Sequence, residues 1–160
     1  MVRLLLPVAV AVLILFSVQA FAGPGSYSLR AKGGPSFNLK DSRTLARVGG
    51  EFDYDFGYSI GFNLMAMFGI GKTFRFDLIP SFRYDYLFLG PASMYVLGGV
   101  GYTVFDKQSG LGMRLGIGIT MPLGDRFEFN TDVNLFLVPV GTPGTPVNLD
   151  WLMGFGVHFD

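Results

Sequence analysis

Residues 73–88 read T-F-R-F-D-L-I-P-S-F-R-Y-D-Y-L-F. One parity holds Phe74, Phe76, Leu78, Pro80, Phe82, Tyr84, Tyr86 and Phe88. The other holds Thr73, Arg75, Asp77, Ile79, Ser81, Arg83, Asp85 and Leu87. Side chains alternate faces along a strand, so this segment is greasy on one side and charged on the other. It has no helical period.

The same alternation recurs on both sides of it. Eight strands are expected, at 26–38, 47–56, 59–70, 73–88, 93–105, 110–121, 126–138 and 147–159. Turn chemistry separates them: Asp41-Ser42, Phe56-Gly57-Tyr58, Gly69 to Lys72, Gly90-Pro91, Asp106 to Gly110, Pro122 to Asp125 and Pro139 to Pro146. Gly or Pro interrupts almost every window that a helix would need.

The larger apolar side chains fix one parity in each strand. On the other parity fall Arg30, Lys32, Arg47, Glu51, Asp53, Asp55, Arg75, Asp77, Arg83, Asp85, Arg114, Glu128, Asp132 and Asp150. The remaining charges after residue 22 sit in turns or at Asp160, and none falls on the greasy face. Aromatics sort the opposite way: Tyr54, Phe62, Phe82, Tyr102, Phe129 and Trp151 lie with the apolar parity. Tyr95, Phe105 and Phe136 are exceptions on the polar one.

Composition narrows the class. The 160 residues include 23 Gly and 17 Phe, with 15% charged and 50% hydrophobic residues and zero formal net charge. Disorder needs charge and few aromatics, and Gly weakens helices by about 1 kcal/mol each. Zero net charge argues against a nucleic-acid binder, which needs a basic surplus. With no Cys there is no disulfide framework or thiolate metal site.

Residues 1–22 read as a signal peptide. Arg3 supplies the positive start, Leu4 to Val18 the apolar stretch, and Ala20-Phe21-Ala22 a small-x-small site. Cleavage is expected between Ala22 and Gly23, leaving 23–160 as one barrel domain.

Side-chain size decides which face is outside. The interior of an eight-stranded barrel is just wide enough for its own side chains. It has no room for the aromatics plus the Leu, Ile, Val and Met of the same parity, whereas lipid solvates any number. The other parity carries Gly99, Gly101, Gly112, Gly116 and Gly118, which suits a narrow lumen and leaves room for long side chains from the opposite wall. The expected fold is all-β: an eight-stranded antiparallel transmembrane barrel, closed because an open edge in lipid has no partner. An even strand number puts both termini on the periplasmic side.

With its signal peptide and eight alternating strands, the chain resembles the small outer-membrane β-barrels, the OmpA/OmpX-like porin family of Gram-negative bacteria. Such proteins end in an assembly signal read by the barrel-insertion machinery: a Gly, then two alternating hydrophobics, the last usually a terminal Phe, a pattern from which this chain departs in that its aromatic is penultimate. Gly154, Val157 and Phe159 match that spacing, with Asp160 following the aromatic. The resemblance implies residence in the bacterial outer membrane, with its lipids and the insertion machinery as partners. It does not fix an activity.

The charged parity is the main candidate site. Arg75 with Asp77 and Arg83 with Asp85 are i,i+2 neighbours that can pair. Arg30 and Lys32 lie beside Glu51 and Asp53 and, on closure, beside Asp150. Arg114, Glu128 and Asp132 complete the set. An unpaired buried charge costs several kcal/mol, so an ion-pair plug is expected, with a narrow polar channel as the alternative.

Two other motifs carry less. Ala66 to Thr73 matches a relaxed phosphate-loop pattern, but a strand follows Lys72 where that chemistry needs a helix. His158 is the one histidine. A barrel could bring Ser28 near it, which keeps a lipid-modifying enzyme as a third reading. The expectation is otherwise no enzyme, no cofactor and no metal site. Recognition would sit in the short loops at 38–47 and 139–146, with an unknown surface ligand.

Overall fold

A computed structural model describes residues 25–40, 44–57, 59–71, 73–105, 108–137 and 147–159. The expected signal peptide, its Ala22–Gly23 cleavage site and the 139–146 hairpin lie outside the described residues, as do Lys72 and Asp160. Eight strands form: β1 Tyr27–Asn38, β2 Thr44–Gly57, β3 Ile60–Ile70, β4 Arg75–Leu89, β5 Ala92–Phe105, β6 Gln108–Leu123, β7 Phe127–Leu137 and β8 Val147–Phe159. Each pairs antiparallel with the next, and β1 pairs with β8 to close the barrel. β2 starts three residues before the expected 47, because Thr44 to Ala46 find ladder partners in Phe37 to Pro35.

The two ends differ in how they turn. At the end where β1 starts and β8 stops, the connections are tight. Gly57, Gly90 and Gly124 adopt φ of 86°, 63° and 84°, conformations a side chain disfavours and glycine does not. Gly90-Pro91 alone links β4 to β5, with glycine first as a two-residue hairpin turn requires. At the opposite end the described strands stop and resume across wider sequence intervals at three of four junctions: Asn38 to Thr44, Ile70 to Arg75 and Leu137 to Val147, beside Phe105 to Gln108. Below, these are the termini end and the loop end.

Outward residues form the lipid-facing surface of a transmembrane barrel. Phe82 is 70% exposed, Leu115 56% and Trp151 50%. Tyr27 stacks on Phe159 with ring centroids 4.9 Å apart, across the seam that closes the barrel. The ladder is interrupted at two prolines. Between β1 and β8 the pairing skips Gly34 and Pro35, and between β4 and β5 it skips Ile79 and Pro80. Proline has no N–H to give.

The lumen holds the core. Met65, Met67, Ile79, Phe136 and Leu152 are buried together, with polar and charged residues on both sides of them.

Candidate functional site

In the termini half of the lumen, Glu51 is the hub. One of its oxygens accepts from Arg30 Nη1 at 3.1 Å and Lys32 Nζ at 3.0 Å; the other accepts from Arg114 Nη2 at 3.1 Å. Arg114 comes from β6 and Glu51 from β2, four strands apart in the closed order, so this pair spans the barrel. Arg30 also reaches Asp53 and Glu128, and Lys32 reaches Asp132. Arg114 donates further to Asn134 at 2.7 Å and Asn63 at 2.8 Å. The Tyr95 hydroxyl donates to Asp132 at 3.0 Å and accepts from Asn130 at 2.7 Å. Charge-assisted bonds of this kind are about twice as strong as neutral ones.

Toward the termini end this network opens onto a cavity of about 370 Å³. Arg83 and Asp85 line it as a two-bond pair, at 3.0 and 2.7 Å, and the Arg83 guanidinium lies 4.1 Å from the centroid of Tyr95. This pair sits at the mouth rather than in the fully buried centre of the network.

The loop half is built differently. Arg47 and Arg75 both face Asp77, which also accepts from Thr103 Oγ1 at 2.6 Å. Asp150 lies 3.5 Å from Arg47 Nε and 3.6 Å from Arg75 Nη1. None of the Arg75 nitrogens, and neither Asp150 oxygen, makes a well-directed hydrogen bond to the protein. Both guanidiniums instead lie over Phe136, at 5.5 and 4.5 Å from its centroid.

Two expected neighbourhoods change. Asp150 does not meet Arg30 or Lys32: its register partner on β1 is Ser36, further toward the loop end, while Gly154 and Gly156 stand opposite Lys32 and Arg30. The stagger of strand pairing shifts the carboxylate into the Arg47 and Arg75 group. Nor do the β5 and β6 glycines make space for the opposite wall. A Cβ at Gly99, Gly112, Gly116 or Gly118 would meet Ser81, Thr103, Asn134 or Tyr95, respectively, each on an adjacent strand. The long side chain runs the other way, from Arg114 on β6 to β2.

The inward apolar layer is the part that sorting charges misses. Met65, Met67, Ile79 and Leu152 all fall on the polar parity, so alternation alone could have placed them. Gly154 faces the lumen against Lys32, while Phe159 points outward onto Tyr27. Ala66 to Ile70 belong to β3, and β4 follows with no helix between. Ser28 and His158 are direct partners between β1 and β8, and Ser28 hydrogen-bonds Glu128, which Arg30 already holds.

No protein-family model and no curated protein matches the chain. Solved structures do. Neisserial surface protein A superposes with a TM-score of 0.70 at 12% identity, covering 86% of this chain and 98% of that one. Ail, the attachment invasion locus protein of Yersinia pestis, solved with the heparin analogue sucrose octasulfate, gives 0.61 at 13%, covering 84% and 99%. The outer membrane enzyme PagL gives 0.54 at 14%, covering 81% and 98%. A surface protein, an attachment protein and an enzyme thus share one architecture, and architecture does not dictate activity. Closed order, inward charge and outward aromatics agree with them: the chain has the fold of the small eight-stranded outer-membrane β-barrels, the OmpA/OmpX-like architecture.

Proposed function

We propose that this protein is a sealed barrel of the bacterial outer membrane with a structural and surface-contact role. The observation that carries this reading is the filled lumen. Arg114 joins Glu51 across the full width of the barrel, and five buried apolar side chains lie between that network and the loop-end charges. Buried apolar side chains and paired charges filling the lumen support a closed path, since moving an ion through apolar surroundings costs far more than thermal energy. Export through a cleaved signal peptide and insertion through Gly154, Val157 and Phe159 belong to the same proposal. The termini end then faces the periplasm and the longer loops face outward, where surface contacts would be made.

Single-channel recording on purified protein in planar bilayers tests it. The expected trace has no stepwise conductance. Reproducible steps whose size changes in Arg114→Met would replace the sealed reading with a small-solute pore. Release of acyl chains from lipopolysaccharide, lost in His158→Ala, would point to the enzyme reading.

A further inference from the structure

The unpartnered polar atoms of the lumen gather in its loop half. Among the described residues, eleven buried side-chain nitrogens and oxygens make no well-directed hydrogen bond. Nine of them belong to five neighbours: one on Ser36, two on Arg47, three on Arg75, one on Asn148 and two on Asp150. None of the five residues is more than 2% exposed. Strand pairing brings them together. Ser36 faces Asp150 across the β1–β8 seam, Asn148 lies two residues along the same face of β8, and Arg47 and Arg75 flank Gly69 of β3 from either side. Burying polar groups without partners is costly, so a cluster of them marks a place where a bound molecule completes the bonds.

The bonds still to be made define that molecule. Asp77 is already shared: one oxygen accepts from Thr103 at 2.6 Å and the other from Arg47 Nη2. Arg75 Nε, 2.8 Å from Asp77, is not aligned with it. The Arg47, Arg75 and Asn148 nitrogens only donate, whereas the Asp150 oxygens only accept and stand 3.5 and 3.6 Å from the two guanidiniums. A ligand that completes both sets must accept from the arginines and donate to the carboxylate. An anion accepts only, and would be pressed against Asp150. A metal ion or an ammonium does not accept, and would be pressed against two guanidiniums. Water does both, and a buried water makes about three hydrogen bonds to groups that the fold leaves over.

We propose that Ser36, Arg47, Arg75, Asn148 and Asp150 form a binding site for internal water, which bridges the two guanidiniums to Asp150 and to the Ser36 and Asn148 side chains. The apolar layer around Ile79 offers water no comparable bonds and bounds the site toward the termini end. A water-bridged ion pair stays compensated without one fixed geometry. The loop half can therefore deform without breaking its charge balance, unlike the directly bonded network around Glu51.

Water-selective NMR on isotope-labelled protein in zwitterionic detergent tests the site. Cross-peaks to water are expected at the Arg75 Nε–H and the Asn148 side-chain amide. They should have opposite signs in NOE and ROE spectra, which marks a held water rather than proton exchange. The Met65 and Met67 methyls should show none. Raising sodium chloride should leave the Arg47 and Arg75 signals unmoved. The Arg75→Met, Asp150→Leu double variant exchanges the ion pair for apolar side chains and should lose the Asn148 cross-peak; heat-modifiable mobility on gels checks that it folds. Absent cross-peaks in the unaltered protein would mean a dry, directly paired cluster and overturn the site, whether or not the variant folds. Saturable chloride shifts would make it an anion site. Cross-peaks at the methionine methyls would make the whole lumen wet, and a cross-peak surviving in the folded double variant would put the water elsewhere. Each of these outcomes also overturns the proposal. None of the readouts is a conductance, so sealing is tested separately.

Discussion

The two halves of the lumen bury charge by different means. In the termini half, each hub group has directed hydrogen bonds: Glu51 accepts three, and Arg114 donates to Glu51, Asn63 and Asn134. In the loop half, Asp150 faces its two arginines at 3.5 and 3.6 Å without directed bonds, and the guanidiniums rest on an aromatic ring. Satisfied networks fix one arrangement, whereas loosely directed charges tolerate several. The difference predicts a rigid half beneath a more forgiving one.

The strongest way to break this comparison is to remove the hub. Glu51→Leu removes the one carboxylate that Arg30, Lys32 and Arg114 share, leaving a buried positive surplus, and should cost about 3–5 kcal/mol, the scale of breaking a buried ion pair. Replacing Arg114 by Met in the same chain should recover part of it. Urea titration in lipid vesicles, followed by Trp151 fluorescence, measures both. If Asp150→Leu costs as much as Glu51→Leu, the two halves are equivalent and the distinction fails.

The outer wall supplies a scale independent of the lumen. Arg at the midplane of a barrel costs about 2–4 kcal/mol, falling toward 0–1 near the interfaces. Leu115→Arg should therefore destabilise the barrel, and Leu123→Arg, at the last residue of β6, should hardly matter. Equal losses would mean that the membrane sits elsewhere on the strands.

Next in size is overpacking in the rigid half. A Cβ at Gly118 would lie 2.5 Å from the Tyr95 ring and 2.8 Å from Asp132 Cβ. Gly118→Ala should cost roughly 1–3 kcal/mol, as added volume in a packed interior does. A neutral result in the same urea titration would show that the termini half is softer than its hydrogen bonds imply.

The smallest expected effects come from the forgiving half and the mouth. Phe136→Leu keeps apolar volume but removes the ring beneath Arg47 and Arg75, a loss of about 0.5–2 kcal/mol. Arg83→Met should cost about 1 kcal/mol or less, since its pair with Asp85 is partly open to water. A mouth variant costing more than Phe136→Leu would reverse the proposed gradient of rigidity.

Alternation made the strands and their two faces legible. Thr73–Phe88 already separates Arg75, Asp77, Arg83 and Asp85 from Phe74, Phe76 and Phe82, because a period of two has only two sides. Pairing between adjacent strands was also within reach: Arg30 lies opposite Glu51 in the hairpin register. Asp150 was not, because its neighbours depend on how far the closing strands are staggered, a property of the whole barrel. Arg114 spans to Glu51 for the same reason, since contact across a lumen has no signature along the chain. Met65 and Met67 lay in plain view on the polar parity of an uncharged strand, where sorting charges finds nothing to sort.

The two proline interruptions lie at the β1–β8 and β4–β5 seams, four strands apart and so on opposite walls. Each seam lacks ladder bonds that its neighbours have. A tube weakened along two opposite lines ovalises along one diameter more easily than along any other. Amide deuterium exchange should therefore begin beside Trp151 and Val100, opposite the skipped residues, and reach the β2–β3 and β6–β7 ladders last.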